Sequence, residues 1–324
     1  MHLRIGTRRS RLALAQAEEV RARLRERGIE AELVPMLTSG DRGARADLSK
    51  AGLKGLFVAE IVRALQAGEV DLAVHSAKDL PSEDPEGVVV AAVPPRAPAF
   101  DVLVTRDGEL PEGGTIGTSS LRRRALLRSA TPYREPRARF ADLRGNVDTR
   151  LRKLADGEVD GLVLAAAGLL RLGLWPGGAA GVWPDGATDA EVRLEAEGRP
   201  RARRVPIVPA PGQGCLAVQA RADDARAREA AAALDDPASR DALAAERAVV
   251  RALGGGCALP LGANARREPD GRLFLEAIVA TPEGDRTAAA DARGEEPGAV
   301  AAEVVARLRE RGAGEILAHA RGEG

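Results

Sequence analysis

Short apolar runs and amphipathic stretches alternate along most of the chain. LRIGT (3–7) predicts a strand. In the SRLALAQAEEVRARLRERG that follows, Ala13, Ala17, Val20 and Leu24 recur at helical spacing, with Gly28 placed to end the helix. AELVPM (31–36) predicts a second strand, GLFVAEIVRALQAG (55–68) an amphipathic helix, VDLAVHS (70–76) a buried strand and GVVVAAV (87–93) another. Strands and helices in this alternation predict an open α/β sheet.

PPRAP (94–98) is a stiff break at which a boundary is expected, and a second α/β series follows it. FDVLVT, TIGTS, RFADL and VDGLVLAAA predict strands, separated by the helical SLRRRALLRSA and NVDTRLRKLADG. Residues 172–204 show no sustained period and are rich in Gly, Pro and charge, so a long surface insertion is expected there. Beyond VPIVPAPGQG (205–214) the pattern is helical over ADDARAREAAAALDD and SRDALAAERAVVRALGGG. RLFLEAIVA then alternates as a strand, and GAVAAEVVARLRERG closes as an amphipathic helix. This tail reads as a small α+β domain.

Composition narrows the function. The 324 residues suffice for two or three domains, and the formal net charge is zero, with 48 basic and 48 acidic side chains. Any charged ligand must therefore be drawn by local clusters, and arginines do crowd residues 4–11 and 122–153. Aromatic residues make up 2% of the chain, too few for base-stacking platforms, so nucleic acid is not an expected partner. Two cysteines, Cys215 and Cys257, with no C-x-x-C spacing give neither a disulfide framework nor a zinc site, and no metal is expected. Arginines run through the region where a signal peptide needs an apolar core, and no run of about 18 apolar residues occurs. A cytoplasmic protein without a membrane partner is expected. With only three histidines, acid–base chemistry is expected from a carboxylate or a lysine.

The strand-to-helix turns carry the candidate chemistry. GTRRS (6–10) and GTSSLRRR (117–124) each place hydroxyls and free backbone N–H groups at a helix N-terminus and add guanidinium groups, a combination suited to carboxylates. Ser10 and Ser119 would also serve as plain helix caps. LRGNVDTRL (143–151) repeats the theme with Arg144 and Arg150. Together these turns outline a cleft between two α/β lobes, at the carboxyl ends of strands. VDLAVHSAKDLP delivers Lys78 and Asp79 at a strand end, either as a salt-bridged pair or as catalytic groups. If several arginines converge nearby, Asp79 would stay ionised and either stabilise a developing cation or relay a proton. KAGLKGLFVAE (50–60) offers Lys50 and Lys54 on a glycine-punctuated loop.

The segments GTRRSRLALAQA, LKGLFVAE, VHSAKDLP, IGTSSLRRR, LRGNVDTRL, AAAGLLRLG, PAPGQG and GGGCALPLG, in that order between residues 6 and 262, closely resemble the hydroxymethylbilane synthase (porphobilinogen deaminase) family. The resemblance implies two type II periplasmic-binding-protein-like α/β lobes plus a small C-terminal α+β domain. The first lobe would be discontinuous, 1–95 with 209–232; the second would span 96–208 and the third domain 233–324. It implies a transferase of porphyrin and haem biosynthesis that condenses four porphobilinogen molecules head to tail, losing ammonia, and releases hydroxymethylbilane by hydrolysis. It further implies a dipyrromethane cofactor bonded to the sulfur of Cys257, and a monomer.

By the same resemblance Asp79 is the catalytic aspartate, assisted by Lys78, and both also contact the cofactor. Thr118, Ser119, Ser120, Arg122, Arg123, Arg144 and Gly145 match further cofactor contacts. Arg8, Ser10, Gln16, Phe57, Arg150 and Arg171, again with Arg144, match substrate-binding positions. Lys50 and Lys54 match a mobile loop. Departures from the family pattern are Leu53 in place of a glycine, Gly254 in place of an acidic residue, and longer stretches at 129–139 and 173–204. Cys215 is a rival thiol, read as a buried small residue because no glycine collar surrounds it. A two-lobed carboxylate-binding or sensor protein without catalysis is the alternative; it would leave the third domain and its thiol unexplained.

Overall fold

The computed structural model describes residues 1–37, 55–130, 133, 137–176, 191–254 and 259–323. The first series of elements is β1 (His2–Arg8), α1 (Arg11–Arg25), β2 (Glu30–Met36), α2 (Gly55–Gln66), β3 (Leu72–Ser76) and β4 (Val88–Ala92). They build a sheet of order β2-β1-β3-β11-β4, in which β11 (Leu216–Arg221) enters from far along the chain. β1 runs parallel to β2 and β3, and β11 antiparallel to β3 and β4. The sheet is covered on both faces, so β3 (LAVHS) and β4 (VVVAA) carry apolar runs, whereas β1 and the edge strand β2 interleave polar residues. Leu72 and Val74 of β3 pack with Ala17, Val20 and Leu24 of α1. Ala73, on the opposite face, packs with Ile61 and Leu65 of α2.

The second lobe comprises β5 (Asp101–Thr105), β6 (Gly114–Gly117), α3 (Leu121–Ser129), β7 (Ala138–Ala141), α4 (Val147–Ala155), β8 (Gly161–Ala165), α5 (Ala166–Arg171), β9 (Glu191–Arg193) and β10 (Arg201–Arg204). Its sheet order is β7-β6-β8-β5-β10-β9, with β6 parallel to β7 and β8, and β5 antiparallel to β8 and β10. α4 and α5 bury Leu151, Leu154 and Leu169 on one face, and α3 buries Ala125, Leu126 and Leu127 on the other. The third unit is the antiparallel sheet β12 (Leu261–Arg267), β13 (Leu273–Ala280) and β14 (Thr287–Gly294). It is packed by α7 (Pro237–Ala252), α8 (Pro297–Glu310) and α9 (Ala313–Arg321), while α6 (Ala225–Ala232) returns to the first sheet. The expected two α/β lobes and C-terminal α+β domain are present.

Residues 172–176 and 191–204 depart from the surface insertion expected over 172–204, and the remainder of that stretch, 177–190, lies outside the described residues. β9 and β10 extend the second sheet, and Trp175, Leu194 and Ala202 are buried beneath them. The strand character was hidden because β10 reads RARR, with Ala202 its one buried side chain, and because Arg201 pairs with Glu191 across the two strands at 2.6 Å. VDGLVLAAA also ends early as a strand: β8 stops at Ala165 and α5 begins at Ala166, as the strong helix preference of alanine permits.

Two crossings join the lobes, residues 94–99 and 205–214, and a single carboxylate ties both to the third domain. Glu246 of α7 is fully buried. It pairs with Arg96 of the first crossing at 2.6 Å and accepts the Gly212 N–H of the second at 2.6 Å and the Ala265 N–H of β12 at 2.7 Å. Arg96 adds Nε–H to the Gln213 carbonyl at 2.9 Å.

Candidate active site

A cavity of about 400 Å³ opens between the two lobes, at the ends of their strands. The first lobe supplies Arg8, Ser10 and Gln16 from β1 and α1, and His75, Lys78 and Asp79 from the end of β3. The second supplies Ser119, Ser120, Arg122 and Arg123 at the start of α3, Gly145 and Arg150 around the start of α4, and Arg171 of α5. Gln213 and Gly214 of the second crossing close the floor. Twelve expected site residues thus meet in one wall: Arg8, Ser10, Gln16, Lys78, Asp79, Ser119, Ser120, Arg122, Arg123, Gly145, Arg150 and Arg171.

Local chemistry sets each group. Ser10 caps α1, its Oγ accepting the Ala13 N–H at 3.3 Å. Beyond β3 the chain turns through a single 3₁₀ turn, Ala77–Asp79, which carries Lys78 and Asp79 into the cavity. The glycine of the PGQG turn permits this arrangement: Gly212 has φ +74°, and a Cβ there would lie 2.9 Å from the Lys78 nitrogen and from the Ala77 carbonyl carbon. Lys78 Nζ donates to Gln213 Oε1 at 3.4 Å, so the returning crossing orients the lysine. His75 is buried beside Asp79 and Arg8, and its Nε2 has no hydrogen-bond partner among the described residues. Burial lowers the imidazole to about 4 against the attraction of Asp79, so the ring is neutral at pH 7.

The second lobe organises its arginines around a residue that sequence reasoning missed. Asp101, at the start of β5, is fully buried. Its carboxylate accepts Arg122 Nη2 at 2.6 Å, Arg123 Nη2 at 2.7 Å and Gln213 Nε2 at 3.0 Å. Burial would raise the Asp101 pKa, but the two guanidiniums outweigh it and hold the carboxyl well below the usual range. Arg122 and Arg123 are therefore braced by an internal anion while still facing the cavity, and Arg122 Nε is buried with no hydrogen-bond partner among the described residues. The available signal was an acidic residue opening the otherwise apolar FDVLVT.

Ser120 caps α3, accepting the Arg123 N–H at 3.3 Å, and Ser119 Oγ donates to the Leu143 carbonyl at 2.9 Å. Arg150 donates Nε–H to the Gly145 carbonyl at 2.7 Å, and its pKa is lowered by burial and by Arg123. Arg171 reaches across to the first lobe, 2.8 Å from Glu19 on α1, and Arg11 of α1 pairs with Asp148 of α4 at 2.9 Å.

Other expected residues fall elsewhere. Thr118 is buried just behind the wall, where its Oγ1 accepts the Ser120 N–H at 3.2 Å. Arg144 is exposed to solvent and outside the wall. The Phe57 side chain, Lys50, Leu53, Lys54 and Cys257 lie outside the described residues. Cys215, the rival thiol, is fully buried in the first lobe's core, and burial pushes its pKa up to about 12.

Residues 3–229 match the family described as "Porphobilinogen deaminase, dipyromethane cofactor binding domain", and residues 241–311 match "Porphobilinogen deaminase, C-terminal domain". The chain is 45% identical to the porphobilinogen deaminase of Rubrobacter xylanophilus, over 98% of this chain and 97% of that one. It is 44% identical to that of Acidithiobacillus ferrooxidans, over 97% of both. Among solved structures, the periplasmic VFT2 domain of Bordetella pertussis BvgS overlaps 76% of this chain and 92% of its own at a TM-score of 0.39 and 16% identity.

Proposed function

The chain belongs to the porphobilinogen deaminase family, and on that premise we propose that the inter-lobe cavity is where porphobilinogen units are condensed, with Asp79 as the catalytic carboxylate. Members of this family are transferases of tetrapyrrole biosynthesis, and most of the chain is the domain that binds a dipyrromethane cofactor. The residues present suit that group. Pyrrole acetate and propionate side chains need a wall of fixed cations, and Arg8, Lys78, Arg122, Arg123, Arg150 and Arg171 all contribute to this one. Arg122 Nε, a buried donor without a hydrogen-bond partner among the described residues, is consistent with that reading. When bound, the dipyrromethane would supply a primer with one free pyrrole α-carbon as the nucleophile for the first porphobilinogen, each added ring offering its own free α-carbon to the next; every new carbon–carbon bond would replace the methylene–ammonia bond and a pyrrole C–H, and after four additions water would release hydroxymethylbilane.

Each residue then has a physical task. Loss of ammonia leaves positive charge on the porphobilinogen ring nitrogen, and the Asp79 carboxylate offers the compensating negative charge and accepts the ring N–H. Neutral His75 beside it adds no competing cation. Lys78, oriented by Gln213, and the arginines neutralise substrate carboxylates that would otherwise repel one another. Cys257 is the attachment point in this reading. Its rival Cys215 is buried and poorly ionised, whereas thioether formation needs an accessible sulfur. The strand that follows Cys257, β12, enters beside the second crossing: the Ala263 N–H donates to the Pro209 carbonyl at 3.0 Å, and Ala210, the next residue, is in the cavity wall. In this reading a reducing cytoplasm keeps the Cys257 thiol available, and the protein works as a monomer.

The observation that carries this reading is the convergence of Asp79 with six cationic side chains in one cavity between the lobes. Intact-protein mass tests it. The purified protein should exceed its sequence mass by two pyrrole units and gain further units with porphobilinogen, and Cys257→Ser should stay at the sequence mass. Asp79→Asn should keep the added mass but lose about 10²–10³-fold in turnover. A wild-type protein at its sequence mass that forms no hydroxymethylbilane would overturn the proposal.

A further inference from the structure

Arg171 faces the cavity from the second lobe, yet it is already engaged by a carboxylate of the first. Its Nε donates to Glu19 Oε2 at 2.8 Å, and its Nη2 donates to the Gly214 carbonyl at 3.1 Å. The arginine side chain is 7% exposed and Glu19 25%, so this pair is shielded from salt far better than the neighbouring Arg11–Asp148 pair, at 65% and 41%. Glu19 is not itself in the cavity wall; it lies on α1 behind it. Its other oxygen, Oε1, accepts Arg23 Nη2 at 3.0 Å.

We propose that Glu19 is a positioning residue that acts as a built-in stand-in for a substrate carboxylate, holding Arg171 in its binding geometry and giving it up when a pyrrole carboxylate arrives. The inference rests on reading the cavity as the porphobilinogen site. Two features suit Glu19 and Arg171 to such an exchange. The Gly214 carbonyl keeps hold of the guanidinium through Nη2, so Arg171 changes carboxylate partners without swinging away. Arg23 keeps hold of Glu19, so the displaced carboxylate is not left buried and unpaired, the outcome that makes breaking such pairs costly. Guanidinium groups bind carboxylates with the same fork geometry whether the carboxylate is internal or belongs to a ligand. Each added pyrrole brings two more carboxylates, so the competition tilts further toward ligand as negative charge accumulates in the cleft.

The proposal predicts opposite effects from two substitutions outside the cavity wall. Glu19→Gln weakens the competitor, and KM for porphobilinogen should fall about 3–5-fold with kcat little changed. Arg23→Gln removes the fallback partner of Glu19, tightens its hold on Arg171, and should raise KM by a similar factor. A purely structural role for the pair would move both variants in the same direction. Steady-state kinetics with thermal melts of each variant decide the matter, and if Glu19→Gln fails to fold, the direction for Arg23→Gln still does. Unchanged KM in both variants, or shifts of the same sign, would overturn the inference while leaving an active wild-type enzyme, and hence the functional reading, intact.

Discussion

Glu246→Gln preserves side-chain shape while removing the charge from the point where both crossings meet the third domain. The carboxylate is 0% exposed and accepts four hydrogen bonds: Arg96 Nη1 at 2.6 Å, Arg96 Nη2 at 3.2 Å, Gly212 N–H at 2.6 Å and Ala265 N–H at 2.7 Å. An amide has one oxygen, and its NH₂ must then face at least one of these donors. The Arg96 side chain, 12% exposed, would keep its charge with no anion beside it. Removing one partner of a buried ion pair costs about 3–5 kcal/mol, a large share of the roughly 5–15 kcal/mol that stabilises a folded protein. Calorimetric melting of Glu246→Gln, Arg96→Met and the double variant measures the effect. Each single variant should melt well below wild type. The double variant should lose less than the sum, by about 2 kcal/mol or more, because no unpaired guanidinium remains. An unchanged melting temperature for Glu246→Gln, or strictly additive losses, would refute the reasoning.

Two other outcomes follow from buried titratable groups. Cys215, its thiol pushed up to about 12 by burial, should resist alkylation in the native protein at pH 8 and react only on unfolding; peptide mapping that finds it labelled before unfolding would contradict its placement. His75 ordinarily titrates near 6.5 but is lowered to about 4 when folded, chiefly by burial. Below pH 6.5 the unfolded chain therefore binds a proton that the native protein refuses, so this contribution to stability is complete above 6.5 and is lost as pH falls toward 4, up to about 3 kcal/mol. Urea titrations across that range should show a shallower pH slope for His75→Gln than for wild type, and identical slopes would count against the neutral, buried imidazole.

The elements best read from the pattern were those whose signal is local. Ala13, Ala17, Val20 and Leu24 form the buried face of α1 at the expected spacing, and Ser10 caps that helix as expected, whereas α3 is capped by Ser120, one residue beyond the expected Ser119, whose hydroxyl goes instead to the Leu143 carbonyl. The hydroxyl-and-arginine turns were legible for the same reason, since a helix N-terminus and the residues beside it are neighbours in sequence. β9 and β10 escaped because arginines occupy the positions that would show alternation, and α5 was absorbed into the strand before it because an alanine run suits either state at its margin.

Pairing between distant charges was beyond that reach. Arg122 and Arg123 read as free grips for a ligand, but Asp101, on a strand that precedes them by about twenty residues, braces both. Arg171 meets Glu19 across the cleft, and Arg96 meets Glu246 across the domain junction, with |i−j| of 152 and 150. Periodicity and capping arise from contacts within a turn or two of backbone, so the order of residues suffices to reveal them. Which cation faces which anion depends on how the sheets are ordered and how the crossings bring the lobes together, and the energy of each pair depends on the burial that this packing creates.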